Sequence, residues 1–516
     1  MSLLGRTFTK LVNYDTKELR NIIRTLDTLA TEVGEQDWSQ HRPYCEIPGP
    51  KPIPFLGNTW RFIPFIGDFK IQEIDRVSKR LYEEYGSIVK MEGLLGRPDM
   101  VFIYDANEIE RIFRQEEKMP HRPSMPSLNY YKHVLRKDFF RENAGVIAVH
   151  GESWYNFRSK VQQVMLQPRT AKMYIGAIEE SSLAFLQRID KIRDENDEVP
   201  KDFLNEIHKW SLESIARVAL DVRLGCLDDD ANAETQRLID AVTTFFANVG
   251  VLELKIPFWK FFNTPTWQKY VNALDVILST TSKYTAAAFS RTKDGLNSAK
   301  ELSLLERVLA AEGDAKLATI LALDLFLVGI DTTSSTVASV LYQLSLHPEK
   351  QARAHKEISS VLPDRDAHLE GKHLENLKYL KACVKETLRM YPVVIGNGRS
   401  MTNDTVISGY HVPKGVHVVF QHYVISNLDK YFPRSNEFLP ERWMQEDGVQ
   451  HSFASLPFGY GRRMCLGRRF AELEILIVLS KIIQRFKVEY HYEKLDYYIN
   501  PMYTPKGPLS FKFIDR

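Results

Sequence analysis

Apolar residues recur along this chain mainly with a helical period. Behind Gly467 come Phe470, Leu473, Ile475, Leu476, Val478, Leu479, Ile482 and Ile483. They occupy nearly all sides of a helix, which is therefore expected to be buried. A longer helix is expected from Ala315 to Leu346, stopping before Pro348. Residues 145–390 read as mostly helical. β-Rich pieces are expected at Ile88–Met91, Met100–Tyr104, Val416–Phe420, Phe486–Tyr492 and Leu509–Phe513. The pattern is that of a mainly α protein with small β-sheets. Prolines 43, 48, 50, 52 and 54 make a stiff, extended hinge over residues 43–54. It separates a leader, residues 1–42, from a folded body, residues 55–516. The acidic runs Asp194–Glu198 and Asp228–Asp230 read as solvated loops. The chain shows no internal repeat and no low-complexity tract.

Composition narrows the class only a little. A chain of 516 residues can bury a large core, and 44% hydrophobic with 26% charged residues are ordinary globular values. The formal net charge of +2 gives no reason to expect a nucleic acid partner. Cys45, Cys226, Cys383 and Cys465 have no paired spacing, which points away from a disulfide framework, a zinc ribbon and covalently attached haem. Reduced thiols suit an intracellular compartment. No apolar run reaches the ~18 residues of a membrane span, and the best, Leu317 to Ile330, contains Asp324. Residues 1–14 carry Arg6 and Lys10 with hydroxyls and no acid, a weak mitochondrial presequence pattern.

The chemistry concentrates in Phe458-Gly459-Tyr460-Gly461-Arg462-Arg463-Met464-Cys465-Leu466-Gly467. Glycines let a backbone approach a flat ligand closely. The helix that follows brings its positive end to the sulfur, which favours thiolate, and Arg463 adds a fixed charge two residues before it. The stretch is similar to the haem-binding signature of the cytochrome P450 superfamily. The resemblance implies that fold, with haem b between the long central helix and the cysteine-loop helix. It implies Cys465 as the axial thiolate, with Phe458 and Gly467 in the haem cradle and Arg463 on a haem propionate.

Further motifs extend the likeness. Val328-Gly329-Ile330-Asp331-Thr332-Thr333 on its own equally fits a polar cluster in a core helix. Beside the cysteine loop it resembles the family's oxygen-activation motif. That implies Asp331 and Thr332 as the proton-delivering pair, with Gly329 leaving room for dioxygen. Val328 departs from the family's Ala or Gly there, and its branched side chain is expected to narrow the groove or touch substrate. Glu386-Thr387-Leu388-Arg389, followed by Arg442 in Phe438–Trp443, resembles a structural triad of Glu386, Arg389 and Arg442; Glu108 and Arg111 share the first spacing without that context. Trp154, Arg158 and Arg399 resemble residues that contact the propionates.

No nucleotide fingerprint appears, so electrons come from a separate partner. Lys381 and Lys385, i,i+4 on one face, resemble the mitochondrial branch, where such lysines meet an acidic ferredoxin; a diflavin reductase is the alternative. Val251 to Trp267 interleaves aromatics with lysines and resembles a peripheral membrane contact, with core packing as the bland reading. The expected place is the matrix side of the inner mitochondrial membrane, or else the endoplasmic reticulum. The implied activity is a monooxygenase similar to insect mitochondrial members, which inserts one atom of O2 into a small lipophilic substrate. A foreign compound is favoured over an ecdysteroid of hormone synthesis. Phe245, Phe246, Val328, Val394, Ile395 and Met502 are expected to line its pocket. Rival classes are a haem-thiolate isomerase or dehydratase, and a haem carrier without turnover.

Overall fold

The computed structural model describes residues 38–122, 124–229, 233–293, 302–445, 451–499 and 502–516. Residues 1–37 of the leader, with the presequence pattern, lie outside the described residues, as does Asp230. Twelve described helices have nine residues or more: α1 (Ile74–Tyr85), α2 (Ala106–Arg114), α3 (Gly151–Leu166), α4 (Ile175–Ile192), α5 (Phe203–Leu220), α6 (Ala233–Leu254), α7 (Pro265–Lys293), α8 (Leu304–Glu312), α9 (Ala315–Leu346), α10 (Pro348–Val361), α11 (Lys378–Met390) and α12 (Arg468–Arg485). The strands are β1 (Ile88–Met91), β2 (Met100–Ile103), β3 (Asn397–Ser400), β4 (Thr405–Ile407), β5 (Tyr410–Val412), β6 (His417–Phe420), β7 (Phe486–Glu489), β8 (Asp496–Ile499), β9 (Tyr503–Lys506) and β10 (Lys512–Asp515).

Two units emerge from the contacts. The smaller joins the segment that ends at Glu46 to Thr405–Val412. In it β4 and β5 form an antiparallel hairpin, and Trp38 stacks on His411. The larger unit holds residues 47–404 and 413–516. Its main sheet has the order β1-β2-β6-β3, with β2 and β6 parallel and the outer pairs antiparallel. β7 pairs with β10, and β8 with β9.

Two helices dominate the core, and their sequences explain why. The Asp314 side chain caps α9 by accepting from the backbone N–H groups of Lys316 and Leu317 at 2.9 and 3.1 Å. The helix ends at Leu346, and Pro348 opens α10 at a position that needs no N–H. α9 has the length and hydropathy of a membrane span, yet 67% of its apolar window is buried inside the protein, so it is the central core helix. α12 is buried continuously from Glu474 to Gln484, as its all-round apolar pattern implies. α5 packs along α9 and α4, and α12 packs on α4, α9 and α10. Burial of each large apolar side chain here contributes about 1.5–3 kcal/mol.

The last expected strand is corrected. Leu509–Phe513 is not the strand; β10 begins at Lys512, because Leu509 and Phe511 bond to the chain around Val199 and Lys201 instead.

Candidate functional site

The cysteine loop closes on itself before α12 starts. The Cys465 N–H donates to the Phe458 carbonyl at 2.8 Å, and the Met464 N–H to the Gly461 carbonyl at 3.1 Å. Gly461 has φ +73°, and a Cβ there would come 2.9 Å from Glu116 Oε2, so the turn requires glycine. Gly467 is the N-cap of α12, and a Cβ on it would meet no atom within 4 Å. Phe458 lies under the Arg468 guanidinium at 5.5 Å. Cys465 sits deep in the protein but keeps accessible surface, so its side chain faces an internal space. Burial pushes its thiol up. The N–H groups of Gly467 and Arg468 and the charges of Arg158 and Arg122 pull it back down. The expected charge effect is thereby corrected: Arg158 and Arg122, rather than Arg463, act on the sulfur.

Four guanidinium groups gather beside this loop. Arg463 donates to the Pro120 and Val149 carbonyls at 3.1 and 3.0 Å and stacks 3.6 Å above the Trp154 ring. Arg158, one helical turn after Trp154 on α3, donates to the Met464 carbonyl at 2.9 Å. Arg399 on β3 pairs with Glu116 at 2.6 Å and donates to Gly398 O at 2.8 Å. Arg122 feels the charges of both Arg399 and Cys465. Burial lowers the pKa of Arg122 and Arg158 to about 10, and burial with mutual repulsion lowers that of Arg463 to about 9. Each of Arg158 Nε, Arg399 Nη2 and Arg463 Nη2 is buried without a hydrogen-bond partner. Among the described residues Glu116 is the carboxylate acting on these guanidinium groups, and its Oε2 is also unpartnered. Four positive charges against one negative, with three orphaned donors, fit a dianionic ligand next to Cys465. Haem, with two propionates and an iron that takes a thiolate, matches that donor set. Arg122 escaped the sequence reading because its role depends on a loop packing against residues far away in the chain.

Across the site runs α9. Between Ile320 and Leu344 only Leu325, Val328, Gly329, Asp331 and Thr332 keep exposed surface, and 325, 328, 329 and 332 share one face. Thr332 Oγ1 donates to the Val328 carbonyl at 2.9 Å, the i−4 bond its position implies. Asp331 Oδ1 lies 3.2 Å from His208 Nε2 on α5. The role expected of Gly329 is revised. A Cβ on it would come 2.8 Å from Ile215 Cδ1, so it serves the close approach of α5 to α9.

Behind the loop, Arg389 grips Glu386 with two bonds of 2.9 Å, and Arg442 adds a third at 3.0 Å. Trp443 Nε1 donates to the same carboxylate at 2.8 Å, a member the motif did not announce. Glu386 and Arg389 are 0% exposed. The equally spaced Glu108–Arg111 pair lies on the surface of α2.

A cavity of about 630 Å³ opens between the main sheet, α1 and the α6–α7 turn. Its wall includes Ile395, Tyr104, His417 and Arg122. Of the six expected pocket residues Ile395 lines this cavity and the other five do not. Phe245 and Phe246 are packed against each other and, through Phe245, against Tyr270 of α7, because α6 is apolar on several sides and needs a helix partner. Met502 is buried in the main core. Val394 is 39% exposed outside the wall, and Val328 stands on the α9 face instead. The segment Val251 to Trp267 divides in two. Trp259 and Trp267 stack in the core at 4.7 Å, while Phe258, Phe261 and Phe262 are 50%, 81% and 59% exposed. Leu95, Leu254, Ile256 and Phe258 are exposed where they rim the cavity. On α11, Lys385 is exposed and Lys381 half-buried, its Nζ donating to the Glu375 carbonyl at 3.1 Å.

A mainly α body that sets one cysteine and a nest of arginines with unpartnered N–H groups around an internal space defines a haem-thiolate protein. The cytochrome P450 family model matches residues 47–513. "Probable cytochrome P450 49a1" of Drosophila melanogaster is 48% identical over 95% of this chain and 85% of its own length. "Probable cytochrome P450 301a1, mitochondrial" of the same fly is 49% identical over 92% and 88%. "Probable cytochrome P450 12a5, mitochondrial" is 35% identical over 98% and 94%. The chain belongs to the cytochrome P450 family. It is a monooxygenase, and its cofactor is haem b.

Proposed function

We propose that this chain oxidises lipophilic foreign compounds, using electrons from a ferredoxin-type protein at the matrix face of the inner mitochondrial membrane. The observation that carries the substrate class is the cavity. At about 630 Å³, with a wall mostly of apolar side chains interrupted by polar ones such as Arg97, Asn397, His417 and Gln421, it has room for varied skeletons. Its exposed apolar rim, with Phe261 and Phe262 nearby, supports entry of substrate from a lipid surface. The mitochondrial names of two relatives and the lysines of α11 support the compartment and the donor.

In this reading Cys465 would hold the haem iron, and Arg122, Arg158, Arg399 and Arg463 with Trp154 would hold the propionates. Bound haem supplies the iron that activates dioxygen for insertion into the substrate. The protein residues manage position and protons. Thr332 donates its own hydroxyl hydrogen to Val328 O, so its oxygen lone pairs are free to accept a hydrogen bond from a water that carries protons. Asp331, on the next residue of the same helix, is the acid that replaces protons as they are consumed. Glu386, Arg389, Arg442 and Trp443 keep the chain behind the cysteine loop rigid.

The test is a haem spin-state titration of the purified holoprotein with a panel of steroids and a panel of lipophilic foreign compounds. Several unrelated foreign compounds are expected to shift the haem absorption at micromolar concentration. A response confined to one steroid class would overturn the reading in favour of hormone synthesis.

A further inference from the structure

His208 has no part in the motifs that mark this family site, yet it reaches the site's acid. It sits on α5, buried, with Nε2 at 3.2 Å from Asp331 Oδ1. Among the described residues it is the one basic side chain within 4 Å of that carboxylate. The approach is fixed by packing on both sides. Ser334 of α9 donates to the Ile207 carbonyl at 3.3 Å, one residue before His208, and Gly329 lets Ile215 press onto α9. Helix against helix, the two side chains are held together by backbone register rather than by flexible stems.

A carboxylate this enclosed is costly without a partner. Arginine or lysine would satisfy it permanently. Histidine differs, because it changes charge between pH 5 and 8. We propose that His208 is the positioning residue of Asp331. The imidazolium charge, with Nε2 at 3.2 Å but not in hydrogen-bonding geometry, holds the carboxylate toward α5, and loss of that charge releases it to turn toward Thr332. The inference rests on the proton-delivering role proposed for Asp331.

Other charges on the elements around α5 are already engaged, except Glu474 of α12, whose Oε1 accepts from Ser214 Oγ of α5 at 2.7 Å without a cation beside it. Glu206 is bound by Arg188 and Lys209 at 2.8 and 2.6 Å. Glu179 of α4 pairs with Lys481 of α12 at 2.8 Å, and Glu306 of α8 closes its own capping box. Glu234 of α6 pairs with Lys283 of α7 at 2.8 Å, and Asp324 of α9 with Lys132 at 3.0 Å. Glu213 of α5 accepts from the N–H groups of Leu224 and Cys226. Among the described residues Asp331 is the one carboxylate within 4 Å of His208.

The test compares H208A, H208Q, D331N and H208A/D331N as holoproteins with the parent. Two readouts are used: the apparent melting temperature, and the infrared C–O stretch of the reduced carbon monoxide complex between pH 6 and 8. H208A strands the carboxylate and is expected to lower the melting temperature by about 2 °C or more, and D331N in the H208A background is expected to restore part of that loss. H208Q keeps a neutral N–H donor without the charge and should melt between H208A and the parent. The parent's C–O stretch is expected to shift with pH, and the shift should vanish in H208A, H208Q and D331N. Additive melting losses, or a pH shift that persists in H208Q, would overturn the proposal. Absence of the thiolate-type carbon monoxide spectrum in the parent would instead sink the haem assignment beneath it.

Discussion

Glu474 of α12 and Ser214 of α5 meet inside the core, where Ser214 Oγ donates to Glu474 Oε1 at 2.7 Å. No cation offsets the burial, which pushes this carboxyl up to about 7. The folded chain therefore keeps a proton that the unfolded chain has lost between about pH 4.5 and 7. Stability falls across that window and stays reduced above it, by about 3 kcal/mol for a shift of this size. Buried His422 acts in the opposite sense. Burial lowers it to about 4, so its contribution is present above its unfolded value of 6.5 and lost as pH falls toward 4. Comparing Glu474→Gln with the parent isolates the first effect. The variant should melt with the parent at pH 4.5 and several degrees above it at pH 8; equal melting at both would show that Glu474 is neutralised in some other way. At this scale the sequence is readable where neighbours in the chain define the context. Glu386 and Arg389 were separable from Glu108 and Arg111 because Arg442 and Trp443 follow in a recognisable run. His208 and Arg122 were not readable, since each is defined by a contact more than a hundred residues away.

The long elements were legible and the short ones less so. α9 runs from Ala315 to Leu346 as its periodicity and Pro348 imply, and α12 is as buried as its pattern. β1, β2 and β6 are as short as β3, β8 and β9 but are rich in Ile, Val, Met and Phe, whereas β3, β8 and β9 carry Asn, Gly, Asp or Pro, and β4 and β5 have only three residues each. Asp324 shows what periodicity could not. The acid that interrupts the apolar run of α9 is paired at 3.0 Å with Lys132, both nearly fully buried. Lys132 also donates to the Ala144 and Ile147 carbonyls, and Asp324 Oδ2 accepts from the Val146 N–H at 2.7 Å. The pair fastens the segment around 131–149, which carries the Val149 carbonyl bound by Arg463, to the central helix. Asp324→Ala leaves Lys132 charged and buried, a loss of about 3–5 kcal/mol. Amide exchange should rise over 131–149 before it rises in α12, with a lower melting temperature. Substituting both partners with apolar residues should recover much of that stability, and a double variant no better than Asp324→Ala alone would refute the pairing as the cause.

On the scale of the molecule, two faces would have separate duties under the proposed function. The apolar rim around Leu254, Ile256 and Phe258 gives access to the cavity, while α11 presents Lys381 and Lys385 behind the cysteine loop. Neighbouring charges on α12 are largely cancelled, Arg468 and Arg469 both reaching Glu472 at 2.8 and 3.6 Å. Lys385 is an exposed cation on α11, with Lys381 held by Glu375 O and its titration lowered by burial. An acidic electron donor would be steered by these two charges more than it would be bound by them. Reversing both, Lys381→Glu with Lys385→Glu, should therefore slow reduction of the ferric haem by reduced ferredoxin about tenfold or more at low ionic strength. The parent's rate should fall as salt rises and that of the variant should not, because screening removes only the attraction that is present. Formation of the reduced carbon monoxide complex reads this rate without any substrate, and chemical reduction by dithionite gives the control. If the double reversal leaves the ferredoxin rate unchanged while a diflavin reductase loses its rate, electrons enter from the alternative donor. The apolar rim would then stand as a reading of the substrate route alone.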